Sequence, residues 1–403
     1  MFDETLNERQ GRLDKLQLLG LLGLMLLGAA FVYSATMVND SARLAPLMSQ
    51  AWMKQIIWYG IGIGAATAIC FVSYHTLASW AMIGYWGSIG TLVAVLIPGI
   101  GTSHGWGATR WIDLGPFQFQ PSELAKLTFI VALARFLSRP PEELRMPVNF
   151  WKAMGMMALP FALIFKEPDL GSALVLVPTG FAMMLVAGVP RRYLFRLIGI
   201  VGTLAALVLV DVLFAPPSWQ IKLEEYQRQR LLVFFGVNFA PANATPQEKE
   251  RLHRVQEAKS YQVKQAMISV GSGGMWGKGW NEGNQTALGF LPRDAAHNDF
   301  IFSVIAEEEG FVGSVIVITL YGVVLFTGLR IAGQARDRLG KLLAVGVVTL
   351  LFSHVFINIG MNIRLMPVTG IPLPLLSYGG TSVICSLIAM GMLQNVHIYR
   401  KGY

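Results

Sequence analysis

Asp299 lies in the run Phe290–Leu–Pro–Arg–Asp–Ala–Ala–His–Asn–Asp–Phe–Ile–Phe302, where a long polar segment gives way to apolar sequence. A carboxylate there meets water on one side and a membrane edge on the other. That setting suits proton transfer on a substrate that is half lipid and half polar. An Asp at a helix start also serves as an N-cap, and both readings stand at this point. Glu167–Pro168–Asp169–Leu–Gly171 offers a further carboxylate. Asp169 either caps the helix that follows or adds a second acid near Asp299.

Glu123 and Lys126 are spaced i,i+3 and share one helix face, with Ser122 placed as the cap of that helix. Ionisable groups at the mouth of a membrane span are costly unless paired or wet. They form a structural ion pair, or Lys126 faces a cavity and meets an anionic substrate group. Arg110 and Trp111, in the loop 101–115, are candidate substrate contacts, as are Gln265, His297 and Ser377. The run Ile268–Ser–Val–Gly–Ser–Gly–Gly–Met–Trp–Gly–Lys–Gly–Trp–Asn–Glu–Gly283 is dense in glycine. It can turn N–H groups toward an anion, or serve as a flexible loop. It is not a P-loop, since no Gly–Lys–Ser/Thr follows at the required spacing. The Pro- and Gly-rich run 358–382 is either a plain loop or a cavity wall lined by Ser377.

The elements that must carry these residues are apolar helices. Of 403 residues, 54% are hydrophobic and 14% charged. About ten apolar runs have the length a helix needs to cross the hydrocarbon core. They lie near 16–36, 52–73, 78–99, 121–138, 151–166, 169–189, 194–214, 310–329, 342–362 and 376–397. Open strands cannot cross a bilayer, so the expected fold is an all-α integral membrane protein, one polytopic domain over 1–403. The first span is read as a retained helix, since many spans follow it. Residues 300–306 read as an amphipathic segment at the outer interface, with Glu307–Glu–Glu309 before the next span. The start of that segment suits a pyrophosphate.

Arg9, Arg12 and Lys15, then Arg139 and Arg145, then Arg191, Arg192 and Arg196, then Arg330, Arg336, Arg338 and Lys341 fall in alternate loops, and Arg400 and Lys401 close the chain. Arg43, Arg110, Lys166 and Arg364 occupy the other loops. The positive-inside rule then places both termini in the cytoplasm and the long segment 215–309 outside. The net charge of +8 is largely this bias and gives no reason to read nucleic-acid binding. Cys70 and Cys385 both lie in membrane runs, which suggests no disulfide framework and no metal cluster.

Seven segments in order resemble the SEDS family of bacterial cell-wall polymerases, over nearly the whole chain. They are Arg110–Trp111, Gln120–Pro–Ser–Glu–Leu–Ala–Lys126, Glu167–Pro–Asp–Leu–Gly171, Gly271–Ser–Gly–Gly274, His297–Asn–Asp–Phe–Ile–Phe302, Glu307–Glu308 with Gly310, and Pro372–Leu–Pro374 with Ser377–Tyr–Gly–Gly380. Tyr226–Gln–Arg–Gln–Arg230 and the glycine-rich run look like the elongation member, RodA, more than the division member, FtsW. The resemblance implies a peptidoglycan glycosyltransferase of the plasma membrane that polymerises lipid II outside the cell. It implies Asp299 as the essential carboxylate and a class B penicillin-binding protein as partner, with other membrane proteins of the elongation complex. Lys126 and Arg110 become candidates for the pyrophosphate, with Mg²⁺ or Mn²⁺ as an expected companion; no motif fixes a metal site.

Two departures stand out. The family's Asp–Pro–x–Gly–x–Gly–Tyr stretch is absent, and the charged 237–260 stands in its place. Two extra residues, Asp294 and Ala295 or their neighbours, precede Asp299, and Asn298 replaces the usual Thr. The main rival reading is a lipid II flippase or other transporter, which would share the bundle and the lipid substrate. A septal, FtsW-type polymerase is the nearer alternative.

Overall fold

A computed structural model of the chain describes residues 13–37, 46–102, 109–113, 115, 117–214, 225–239 and 245–400. Arg9, Arg12, Arg43 and Lys401, which entered the sidedness argument, lie outside these residues, as does 215–224 of the outer segment. The long helices are α1 (Lys15–Thr36), α2 (Ala51–Phe71), α3 (Ala81–Val95), α4 (Pro121–Leu137), α5 (Pro147–Lys166), α6 (Leu170–Ala187), α7 (Arg191–Phe214), α8 (Glu225–Phe235), α9 (Pro246–Ser272), α10 (Ile301–Gln334), α11 (Arg338–Asn362) and α12 (Gly380–Ile398).

Eight of them are long and apolar enough to cross a membrane. Of the ten expected spans, the other two are shorter. α3 is apolar but has 15 residues, and α4 has 17 and carries Glu123, Lys126 and Arg135. The chain is an all-α membrane protein.

α11 and α12 form the interior, packed by α10, α6, α4 and α2. Small residues let these helices approach closely, as expected where lipid supplies no hydrophobic drive between helices. A Cβ on Gly391 of α12 would lie 2.8 Å from the backbone of Ala66 in α2. α7 is the opposite case: only Leu194 and Val212 are buried along its 24 residues. Val212 joins a small separate apolar cluster with Leu232 of α8 and Phe239.

The loop after α3 is not helical. It pairs as a three-stranded antiparallel sheet of β1 (Gly101–Thr102), β2 (Trp111–Asp113) and β3 (Gln118–Phe119). The pairing satisfies backbone groups that no helix satisfies. The charged stretch forms the first half of α9, opened by a capping box between Thr245 and Glu248. The inserted residues before Asp299 fold into a single turn, Arg293–Ala296, whose last residue is buried.

The expected amphipathic segment 300–306 is instead fully buried and continuous with the following span in α10. Its polar residues have internal partners. Ser303 Oγ donates to Asn362 Oδ1 at 2.6 Å, and Lys278 Nζ lies 2.6 Å from Glu307 Oε1. The Glu308 carboxylate accepts from Ser34 Oγ and, at 3.0 Å, from the N–H of Asn281. Of the glycine-rich run, the N–H of Asn281 turns to a carboxylate, that of Glu308, while those of Lys278 and Gly279 donate to the main-chain carbonyls of Glu307 at 3.0 Å and Glu308 at 2.9 Å. The N–H of Gln285 also donates to Glu307 Oε1 at 3.1 Å. This clasp meets α10 at Gly310, where φ is 66° and ψ is −157°. That region is essentially open to glycine alone. A Cβ there would sit 2.3 Å from the backbone nitrogen of Gly277. Gly310→Ala should therefore cost about 2 kcal/mol or more by strain and overpacking. Chemical or thermal unfolding in detergent measures it, and an unchanged midpoint would remove the clasp from the account.

Candidate active site

Asp299 sits one residue before the N-cap of α10. That N-cap is Phe300, with no side-chain cap bond, so Asp299 is not the cap. Its main chain is held instead. Its carbonyl accepts from Asn358 Nδ2 at 3.0 Å and from Asn362 Nδ2 at 3.1 Å, both from α11. Ser377 Oγ donates to the carbonyl of Asn298 at 2.6 Å, and the N–H of Tyr378 donates to that of His297 at 2.8 Å. The His297 ring meets Tyr378 edge-on. Ser377 thus positions the segment from beneath, with its hydroxyl also accepting from the N–H of Leu373.

The carboxylate is half-buried and lies against Gly370, where a Cβ would come within 3.5 Å of Oδ2. Burial pushes its pKa up to about 6. The Arg230 and Arg110 guanidinium groups pull it down, and the Asp169 charge pushes it up. Each neighbour comes from a different element. Arg230 of α8 donates to the carbonyl of Thr369 at 3.4 Å. Arg110, just before β2, donates to the carbonyls of Glu167, at 3.3 Å, and Pro168. Asp169 caps α6 through the N–H of Ser172 at 3.2 Å, and its other oxygen accepts from Gln120 Nε2 at 3.2 Å. It fills both roles open to it. Gly171 lets this turn press on loop 369–371, since a Cβ there would lie 2.5 Å from Ile371.

Other candidates lie elsewhere. The cap of α4 is Gln120, and Ser122 is inside the helix because Pro121 takes the first helical position. Lys126 is 1% exposed, 2.7 Å from Glu123 Oε1 and 3.0 Å from His354 Nε2. The cavity beside it, about 30 Å³, holds no more than a water. The structure places the pair within the bundle and Arg230, not Lys126, next to Asp299. Trp111 is half-buried in β2, and Gln265 is half-buried on α9. The first residues of α10 are buried, 3% exposed or less, so that helix start faces the interior and not an incoming pyrophosphate.

Asn358, Asn362 and Arg230 were not singled out by sequence reasoning. The i,i+4 pair of asparagines in an apolar span was the available signal, because unpaired amides there are costly. Arg230 stands in a motif that was read only as a likeness.

The family model for FtsW, RodA and SpoVE, described as cell cycle protein, matches residues 15–402. The chain belongs to this family. The peptidoglycan glycosyltransferase MrdB of Escherichia coli K12 is 35% identical over 380 residues, 94% of this chain and 93% of that protein. A chain from a structure on coordination of polymerization and crosslinking by a peptidoglycan synthase complex superposes with a TM-score of 0.71 at 30% identity, covering 95% of this chain and 98% of its own. The rod shape determining protein RodA of Thermus thermophilus gives 0.64 at 27% identity, covering 97% and 98%.

In this FtsW/RodA/SpoVE member, no group of three or more His, Cys, Asp or Glu among the described residues is placed to hold a metal ion. Asp169 is already committed to Gln120 and Ser172. The donor set among the described residues does not form a protein cage for Mg²⁺ or Mn²⁺.

Glu167 is fully buried, and neither carboxylate oxygen has a hydrogen-bond partner among the described residues. Burial and the Asp169 charge push its pKa up to about 9, against the pull of Arg110. It is a neutral acid at pH 7. The unfolded chain releases this proton near the ordinary glutamate value, so there is no penalty below about pH 4.5. Above that, stability falls with rising pH by up to about 1.4 kcal/mol per unit until the folded group ionises too. Glu167→Gln, which keeps the neutral shape, should flatten the stability profile between about pH 5 and 9. Unfolding midpoints across that range test this, and an identical slope in both proteins would refute it.

Proposed function

We propose that this chain polymerises lipid II into β-1,4-linked glycan strands, with Asp299 as the base. The observation that carries the reading is one partly buried carboxylate set between two guanidinium groups drawn from separate elements. The acceptor sugar presents a 4-hydroxyl. Asp299 takes its proton as the oxygen bonds to the donor anomeric carbon. The bond from that carbon to the pyrophosphate breaks, and the electron pair leaves with the lipid pyrophosphate. A single displacement converts the α-linked donor to a β link. With a pKa of about 6, Asp299 is mostly ionised at pH 7 yet more basic than an ordinary aspartate. Arg110 and Arg230 are placed to meet negative charge growing on the leaving group. A divalent cation fits this reading only as a companion of the pyrophosphate oxygens.

The same reading puts the active site on the outer face of the bacterial plasma membrane, with both termini inside. It assigns the chain to cell elongation, on the strength of the 226–230 and 271–280 runs. It pairs the chain with a class B penicillin-binding protein, consistent with the synthase complex in which its structural relative was solved.

Purified protein given lipid II, with moenomycin present to silence classical glycosyltransferases, should make glycan; a flippase would move lipid and make none. Asp299→Ala and Asp299→Asn should lower the rate at least about 100-fold while the protein still folds in detergent. Arg230→Ala should lower it roughly 100-fold through lost charge stabilisation. The wild-type rate should fall toward acid with a midpoint near the Asp299 pKa of about 6, because the base must be ionised. Full polymerisation by a well-expressed Asp299→Ala protein would sink the assignment.

A further inference from the structure

At the end of the bundle away from Asp299, a cavity of about 480 Å³ opens between the turn before α5, the end of α6 and the start of α7. α6 separates the two places. Its 18 residues run from the Asp169 cap to Gly188, about 27 Å at 1.5 Å per residue. That is close to the thickness of a hydrocarbon core, about 30 Å, so the cavity lies at the opposite membrane face.

Arg145, Arg191 and Arg192 line it, together with the backbone around Gly188 and the side chain of Leu185. No carboxylate pairs with any of these three arginines among the described residues. The nearby Glu143 lies 3.8 Å from Arg139 instead. Arg192 stacks over Tyr193, which fixes its guanidinium plane. The carbonyl end of α6 would disfavour an anion, but Arg338 donates to the carbonyl of Ala187 at 2.7 Å and offsets it. The start of α7 adds the favourable end of a helix dipole.

Apolar surface is at hand: Leu185 lines the cavity and is exposed, and Trp151 and Phe195 are exposed near the starts of α5 and α7. A site for a free anion needs no such flank. A site for a phosphate carried on acyl chains does, because its glycerol and first methylenes must lie against something apolar. Charge-matched pockets between helices at the membrane surface are the pattern for acidic headgroups. We propose that this cavity binds the phosphodiester headgroup of an anionic membrane phospholipid, with Arg145, Arg191 and Arg192 as its ligands. The alternative is that these arginines only follow the general excess of positive charge on that face. Exposed Arg336, which does not line the cavity, represents that excess.

The full chain in mild detergent can be titrated with phosphatidylglycerol, phosphatidylcholine or inorganic phosphate and read by native mass spectrometry. The wild type should bind phosphatidylglycerol in preference to phosphatidylcholine. Arg145→Gln, Arg191→Gln and Arg192→Gln should each weaken that binding roughly fivefold, and the triple variant more than tenfold. Arg336→Gln should change it less than twofold, and phosphatidylcholine binding should not change at all. The single variants keep the test decisive should the triple variant fail to fold. Equal losses in Arg336→Gln and the cavity variants, or no loss in any, would overturn the proposal. Displacement of phosphatidylglycerol by an equal concentration of inorganic phosphate would also overturn it and reassign the cavity to a soluble anion.

Discussion

Asp299 is held in a balance between burial, which favours its proton, and two guanidinium groups, which favour its charge. Either influence alone would spoil a base working near neutrality. Full burial would keep it protonated, and full exposure beside two cations would leave it too weak. The balance requires a carboxylate fixed in depth. The structure supplies this through the main chain, with two asparagine amides on the Asp299 carbonyl and a serine hydroxyl on the carbonyl before it. None of these bonds uses its carboxylate. Loop 369–371 serves all parts at once: it lies on Asp299, receives Arg230 and packs under the Asp169 turn.

The remaining buried charges follow a different logic. Glu123 has Lys126, and Glu307 and Glu308 have the glycine-rich clasp. Such pairs add little net stability over an apolar core, yet breaking one costs several kcal/mol. Their value here is registration. Glu307 and Glu308 lie two turns along α10 from Asp299, so the clasp that neutralises them also sets where the helix begins. Glu167 is the exception: its carboxyl has no hydrogen-bond partner among the described residues and retains its proton.

Much of this was legible before any fold was known. Apolar runs of about 20 residues give the helices, because a bilayer allows little else. Asp299 and Asp169 stood out because carboxylates beside apolar runs need a reason. Lys126 was harder to place, since i,i+3 spacing serves an ion pair and a substrate contact equally well, and only burial separates them. Arg230 was missed because 69 positions separate it from Asp299, and no local pattern encodes that meeting. The segment 300–306 was read as interfacial because Glu307 to Glu309 look like a water-facing edge. The partners of Glu307 and Glu308 are Lys278, Ser34 and backbone N–H groups from distant parts of the chain, and no local pattern encodes those meetings.

α7 buries only two of its side chains, Leu194 and Val212. Tyr193, Leu197, Val208 and Leu213 pack against neighbours, but Ile198, Ile200, Leu204 and Leu207 are exposed and answer to the surrounding medium alone. For them, one branched hydrocarbon is as good as another, and selection can act on transfer energy summed over the helix. The interior helices are solved like a jigsaw, while α7 is written in a degenerate alphabet. That exposed face should drift fastest among relatives that keep every residue around Asp299.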